Sequence, residues 1–207
     1  MRFRPDGCSC LPTVFATPLS ADPPRARARC NLYPPDYSRL TATFDFETST
    51  RLHVKIVPTD AVRWEVPELV FPRPNVSARA TDPAYDIVYT ESVFGFAVVR
   101  RADGEAIFNT TTYVGESASF RPLVFQEQYM EISTHLPSDA NIYGLGERVR
   151  PLRLDAGLTY TMWSADEATP VNQNVYGVHP YYMELRRGQA HGVVRPGTAA
   201  ARRPCRG

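Results

Sequence analysis

Three observations predict a mainly β fold, built as an antiparallel β-sandwich. Apolar and polar residues alternate with a period of two over residues 40–47 and again over 51–56, as expected for strands with one buried face. The 19 prolines and 12 glycines among 207 residues favour many turns and short elements. No stretch of the sequence combines a helical apolar stripe with capping residues. Because 43% of the residues are hydrophobic, the chain can bury a substantial core.

The predicted strands follow one another at intervals of about ten residues, with turn signals between them, as in a sandwich or barrel. Thr48-Ser49-Thr50 connects the first two strands, so that pair is predicted to be a hairpin or meander. Asp103-Gly104 is a dipeptide favoured in hairpin turns. The remaining predicted strands, in order, cover 85–89, 93–99, 106–108, 123–132, 158–163, 181–185 and 190–194.

Two segments of different composition flank this pattern. Residues 1–29 are rich in Pro, Arg, Ala and Ser and are predicted to be a flexible leader. The sandwich is predicted over residues 30–194. Residues 195–207 contain four arginines and no acid, without apolar periodicity, and are predicted to be a disordered tail.

Composition and motifs exclude several function classes. The 23 basic and 22 acidic residues leave a net charge of +1, too little to attract nucleic acid or an anionic membrane. No run approaches the ~20 apolar residues of a membrane helix. Cys8 and Cys10 are too close for a zinc pair, and no second pair completes a site, so neither a metal nor another cofactor is predicted. A disulfide between Cys10 and Cys30 stays open.

Two segments carry the residue types that a sugar site needs. In Asn141–Glu147, two glycines bracket a leucine before an acid, which predicts an unusual backbone path; the alternative is a tight turn with Glu147 paired to an arginine. The segment 161–182 combines aromatic faces with short polar side chains, namely Trp163, Tyr176, Tyr181, Tyr182, Asp166, Asn172 and Asn174. Aromatic faces with fixed polar groups suit a sugar ring, and the alternative is an aromatic core beside a polar loop. The candidate substrate-binding residues are Asp166, Trp163 and Tyr182, and no catalytic residue is assigned.

Six segments, in order and without large gaps, carry a resemblance to a known family: Thr50–Ile56, Arg63–Pro67, Phe125–Ser133, Asn141–Glu147, Asn174–Tyr182 and Ala190–Val193. They resemble the N-terminal region of glycoside hydrolase family 31, most closely the eukaryotic α-glucosidases of the maltase type. The resemblance implies a galactose-mutarotase-like β-sandwich that precedes a (β/α)8 barrel. In that barrel two aspartates hydrolyse terminal α-linked glucose with retention of configuration.

The resemblance also implies what this chain contributes and what it lacks. In such enzymes the sandwich lends a loop to the pocket rim, and its aspartate, here Asp166, hydrogen-bonds sugar hydroxyls. The neighbouring position, often arginine in relatives, is Ala165. A barrel needs about 200 further residues, and neither Trp64 nor Trp163 begins the family's W-x-D-M nucleophile motif. The abrupt change of composition near Val194 motivates the hypothesis of a truncated or mis-spliced product.

We therefore expect the non-catalytic N-terminal domain of an α-glucosidase-like protein, which binds α-glucosides or maltooligosaccharides weakly or not at all. The resemblance implies a secreted or lumenal protein, although residues 1–29 hold no apolar run long enough for a secretory signal. The sequons at Asn75 and Asn109 are weak support for that location.

Two other functions stay open. One is a free-standing carbohydrate-binding module. The other is an aldose mutarotase, which needs an acid–base pair, often a histidine with a glutamate. The four histidines available for such a pair are His53, His135, His179 and His191.

Overall fold

A computed structural model describes residues 13–17, 37, 39–72, 80–91, 94–111, 123–126, 129–168 and 170–195. Over these ranges the chain forms strands and no helix, which confirms the mainly β class. In this part of the chain, no helix is long and apolar enough to cross a membrane. The strands are β1 (Thr13–Thr17), β2 (Arg39–Thr48), β3 (Arg51–Pro58), β4 (Tyr85–Thr90), β5 (Gly95–Arg100), β6 (Ala106–Asn109), β7 (Leu123–Phe125), β8 (Met130–Ile132), β9 (Asn141–Gly144), β10 (Tyr181–Arg186) and β11 (Gln189–Val194).

Each hydrogen-bonded pair joins strands that are consecutive in the sequence, across long connections as well as short ones. Their sheets have the orders β1-β2-β3, β4-β5-β6, β7-β8 and β11-β10-β9. Every pair is antiparallel except β1 with β2, which is parallel. The predicted hairpin of β2 and β3 is confirmed, with Leu40 opposite Pro58 and Phe46 opposite Leu52.

Three sequence predictions need correction or lie outside the described residues. Residues 13–17 form β1, although they belong to the predicted flexible leader, because their backbone pairs with β2. The rest of 1–29, and all of the predicted tail except Arg195, lie outside the described residues. The predicted strand 123–132 is instead the two paired strands β7 and β8.

The described residues fall into two compact units, a first unit that ends at His135 and a second unit that begins at Leu136. The core of the first unit contains residues from all three sheets described for it. Leu40 and Ala42 of β2 are fully buried, as their period-two pattern predicts. They share a cluster with Phe96 of β5 and Phe125 of β7, so the sheets pack face to face around one apolar interior.

One of the two glycosylation sequons, at Asn109, lies in the first unit. The Asn109 side chain is buried, and its Oδ1 accepts hydrogen bonds from the Thr111 amide at 2.9 Å and the Thr111 hydroxyl at 2.7 Å. This is a local side-chain turn that closes the end of β6. The folded unit therefore does not present the Asn109 amide to solvent. Asn75 lies outside the described residues.

Candidate functional site

The second unit contains all three candidate residues and combines one small sheet with a long irregular segment. Strands β9, β10 and β11 form the sheet, and between β9 and β10 the described residues form no strand. Buried Ala140, Ile142 and Leu154 make a small core, and Tyr160 and Tyr182 pack against it. The predicted strand 158–163 is therefore wrong, because these residues run as an irregular segment over that core.

The Gly-Leu-Gly turn has the unusual backbone that its sequence predicts. Gly144 has φ of 105° and Leu145 has φ of 48°, both in the left-handed half of conformational space. A Cβ atom at Gly144 would stand 2.5 Å from the Tyr181 carbonyl oxygen, so only glycine fits there. The Leu145 amide donates to that same carbonyl at 2.8 Å, which locks the turn against the start of β10.

Glu147 fixes the turn to the segment that precedes β10. Its carboxylate accepts a hydrogen bond from the Gly177 amide at 2.9 Å, and its own amide donates to the Gly177 carbonyl at 2.8 Å. Among the described residues Glu147 thus bonds the backbone of Gly177, and no ion pair with an arginine is found for it there. Asn174 reinforces the segment, because its buried amide donates to the carbonyls of Val175 at 3.1 Å and Gly177 at 2.8 Å. The Asn174 side chain thus stabilises the loop that precedes β10.

The structure brings two of the candidate residues together on one loop, residues 161–168. Trp163 is 63% exposed on this loop, and Asp166 is exposed as well. At the start of the loop, the Thr161 carbonyl accepts a hydrogen bond from the Arg148 side chain. The Ala165 amide donates to the Val175 carbonyl at 2.9 Å. The loop therefore holds an aromatic face and a carboxylate in solvent while its backbone is tied at two points.

Arg148 and Arg150 both lie against the ring of Tyr160. Their guanidinium carbons stand 5.4 Å and 5.2 Å from the ring centroid. Burial lowers the pKa of Arg148, and the neighbouring charge of Arg150 lowers it further. The Tyr160 hydroxyl is fixed in turn, since it donates to the Asp155 carbonyl at 2.8 Å and accepts from the Asp155 amide at 2.7 Å. The ring is thus a rigid platform for the two cations.

The third candidate, Tyr182, has different surroundings. It lies on β10, half-buried, with its ring against the Ala140 and Ile142 core. Its hydroxyl is buried and has no hydrogen-bond partner among the described residues. Burial raises the pKa of Tyr182 to about 12, and the charge of Glu184 adds to the rise. No hydrogen bond therefore joins Tyr182 to Trp163 or Asp166 in the described structure.

We expect Tyr182→Phe to reduce the sensitivity of the fold to alkali. The unfolded tyrosine ionises near pH 10 and the folded one near pH 12, so stability falls as the pH rises between those two values. Phenylalanine removes this fall, and at neutral pH it removes an unpartnered buried hydroxyl at little or no cost. The measurement is urea unfolding at about pH 9 and about pH 11. Tyr176→Phe, which changes an exposed tyrosine, should keep the wild-type difference between the two pH values; an equal difference in Tyr182→Phe would contradict the prediction.

A buried charged cluster lies on the same strand as Tyr182. Glu184 is fully buried, and its two carboxylate oxygens accept hydrogen bonds from Arg186 Nε and Nη2, each at 2.9 Å. His191, directly opposite on β11, places Nε2 3.4 Å from the same carboxylate. The period of two along β10 puts Tyr182, Glu184 and Arg186 on one face, and that was the signal available in the sequence.

This cluster bears on the mutarotase alternative. A histidine and a glutamate do meet, but the carboxylate is wholly inside the protein, where a sugar hydroxyl cannot reach it. The arrangement therefore suits cross-strand packing better than acid–base catalysis. Among the described residues no group of three or more His, Cys, Asp or Glu side chains is arranged to hold a metal ion.

Comparison with known proteins places this geometry in context. Residues 26–199 match the model of the glycosyl hydrolase 31 N-terminal galactose mutarotase-like domain. An alpha-glucosidase of Mucor javanicus is 41% identical over 160 residues, which cover 75% of this chain and 17% of that protein. An alpha-glucosidase of Aspergillus oryzae is 35% identical over 195 residues, covering 87% and 18%. A probable alpha-glucosidase of Oryza sativa is 39% identical over 184 residues, covering 77% and 20%. The chain thus spans about a fifth of the length of these curated relatives.

Proposed function

Because the chain belongs to the glycosyl hydrolase 31 family, as its N-terminal galactose mutarotase-like domain, we propose that its 161–168 loop binds a terminal α-linked glucose unit. The relatives are named alpha-glucosidases, which supplies the substrate class. In this proposal the chain is the non-catalytic N-terminal domain. It adds contacts at the rim of a pocket, and bond cleavage belongs to the barrel found in full-length family members.

One observation supports the proposal above the others: Trp163 and Asp166 are both exposed on a loop whose backbone is tied down. An exposed indole offers a flat apolar face to the C–H side of a pyranose ring. An exposed carboxylate accepts hydrogen bonds from sugar hydroxyls. Because the loop is anchored at Thr161 and Ala165, less conformational entropy is lost when the sugar binds.

The three candidate residues take different roles in this proposal. Trp163 stacks on the sugar ring, and Asp166 accepts its hydroxyl protons. Tyr182 supports the site from within the core of the second unit, since its hydroxyl is buried. We expect the protein to be secreted or lumenal, as the family resemblance implies. The Asn109 sequon does not support this location, because the Asn109 side chain is buried.

We expect Trp163→Ala to weaken maltose binding by about tenfold, the loss of one aromatic stacking contact. The measurement is a maltose titration of the full chain followed by protein NMR, which detects weak binding. Trp64→Ala is the matched control, because Trp64 is 65% exposed and Trp163 is 63% exposed, but Trp64 lies in the first unit. Its maltose affinity should equal that of the wild type.

The role of the Asp166 carboxylate is tested with a matched pair of variants. Asp166→Asn should weaken maltose binding, whereas Glu167→Gln, at the adjacent exposed position, should not. Unchanged affinity in both Trp163→Ala and Asp166→Asn would contradict the proposed site. Release of glucose from a chromogenic α-glucoside by the chain, abolished by Asp166→Ala, would contradict the non-catalytic role.

The free-standing carbohydrate-binding module remains the second candidate. It is favoured by a second exposed aromatic side chain of the same unit, Tyr176, which is 64% exposed. A module of that kind predicts a cooperative thermal transition that maltose raises, by the mass action of a ligand that binds the folded state. Absence of any such rise at saturating maltose would exclude it.

A further inference from the structure

We propose that Arg148 is the positioning residue that holds the 161–168 loop, and with it Trp163 and Asp166, in the orientation that a glucose unit requires. The proposal rests on the proposed function of that loop. It assigns Arg148 no contact with sugar. The residue acts through two backbone carbonyls and one ring, as its contacts indicate.

One guanidinium joins two separate parts of the second unit. Arg148 Nε donates to the Leu145 carbonyl at 2.8 Å, and Nη2 donates to the Thr161 carbonyl. The first carbonyl belongs to the Gly-Leu-Gly turn, which is itself locked to β10 through the Leu145 amide and the Tyr181 carbonyl at 2.8 Å. The second lies two residues before Trp163. A rigid strand is therefore connected to the loop through a single side chain.

The shape of arginine suits this connection. Its planar guanidinium presents donors in fixed directions, so it can bond two carbonyls at once. Its central carbon also lies 5.4 Å from the Tyr160 ring centroid. Lysine carries the same charge but lacks the fork. The lowered pKa of Arg148 fits a cation held in a partly buried position beside Arg150.

The loop has few alternatives to this anchor. Over residues 161–168 the chain forms no strand pairing in the described structure. Its second anchor there is the backbone hydrogen bond from the Ala165 amide to the Val175 carbonyl, at 2.9 Å. That bond lies between Trp163 and Asp166 and leaves the start of the loop to Arg148. Loss of Arg148 should therefore free Trp163 first.

The neighbouring arginine provides a matched control. Arg150 contacts the same ring at 5.2 Å, yet its Nε is buried with no hydrogen-bond partner among the described residues. If charge or ring contact alone held the loop, removal of Arg150 would release it as well. If the carbonyl bonds hold it, only removal of Arg148 will.

The test uses the full chain with Trp64→Phe, which leaves Trp163 as the single tryptophan of the two. In that background we compare Arg148→Gln, Arg148→Lys and Arg150→Gln by time-resolved fluorescence anisotropy of Trp163 without sugar, and then by maltose titration. Arg148→Gln should give Trp163 a large fast depolarisation and lower maltose affinity by about tenfold. Arg148→Lys should behave similarly, and Arg150→Gln should match the background in both measurements.

Each outcome decides a different part. Unchanged Trp163 anisotropy in Arg148→Gln overturns the proposal, regardless of the maltose affinity of that variant. An effect of Arg150→Gln on the anisotropy as large as that of Arg148→Gln overturns it as well. Increased Trp163 motion in a chain whose parent binds no maltose supports the anchor and counts against the proposed sugar site. If Arg148→Gln loses its cooperative thermal transition, Arg148→Lys, which keeps the stem and the charge, is decisive in the same two measurements.

Discussion

Replacing Phe96 by alanine should lower the free energy of unfolding of the first unit by about 3–5 kcal/mol. Phe96 is buried on β5, and its ring centroid lies 5.2 Å from Phe44, 5.5 Å from Phe108 and 6.3 Å from Phe94. Truncation removes the transfer free energy of the ring and leaves a cavity between packed sheets that relaxes only in part. Urea unfolding followed by Trp64 fluorescence, in a Trp163→Phe background, reports on this unit.

Two variants control for this effect. Phe96→Leu keeps most of the volume and should cost clearly less than Phe96→Ala. Val88→Ala changes an exposed side chain of β4, the strand paired with β5, and should shift the free energy of unfolding by less than about 0.5 kcal/mol. A loss below about 1 kcal/mol for Phe96→Ala would contradict the central place of this ring.

Replacing Glu184 by glutamine should destabilise the second unit by about 3–5 kcal/mol. The carboxylate is fully buried and neutralises Arg186, whose side chain is 11% exposed. Without the acid, the guanidinium loses the buried carboxylate that neutralises it, and removing one partner of a buried ion pair costs more than the pair itself contributes. The measurement is urea unfolding followed by Trp163 fluorescence in the Trp64→Phe background.

An exposed ion pair of the first unit gives the comparison. Lys55 Nζ lies 2.6 Å from Glu65 Oε1, with the two side chains 39% and 38% exposed, so Glu65→Gln should cost about 1 kcal/mol or less. Combining Glu184→Met with Arg186→Met removes both buried charges and should cost less than Glu184→Gln alone. A double variant as unstable as the sum of its two single variants would show that the charges act independently.

The sequence predicted the strands well wherever one face of a strand is buried. Leu40 and Ala42 alternate with polar neighbours, and their side chains enter the core. The same rule failed at 158–163, where leucine, tyrosine and methionine also alternate with threonine. There the carbonyl of Thr161 accepts its hydrogen bond from the side chain of Arg148, 13 residues away, and not from a neighbouring strand. Such long-range contacts override a local preference for strand.

The candidate site was predicted only in part for a related reason. Tyr181 and Tyr182 are adjacent, so period two places them on opposite faces of β10 without indicating which face is inside. The structure buries the Tyr182 hydroxyl and leaves Tyr181 exposed. Glu184 was missed because a carboxylate on a strand ordinarily faces water, and its burial depends on Arg186 and His191.

The two hydrogen bonds that anchor the 161–168 loop are made to main-chain atoms of the loop, the Thr161 carbonyl and the Ala165 amide. Main-chain atoms are common to almost every amino acid, so side chains along this stretch are free to diverge while its course is retained. Under the proposed function, single substitutions in this stretch would change the sugar preference without changing its two supports, and the small Ala165 beside Asp166 is one such position. We therefore expect that residues 161–168 can be exchanged for the matching stretch of a relative while the course of the chain is kept.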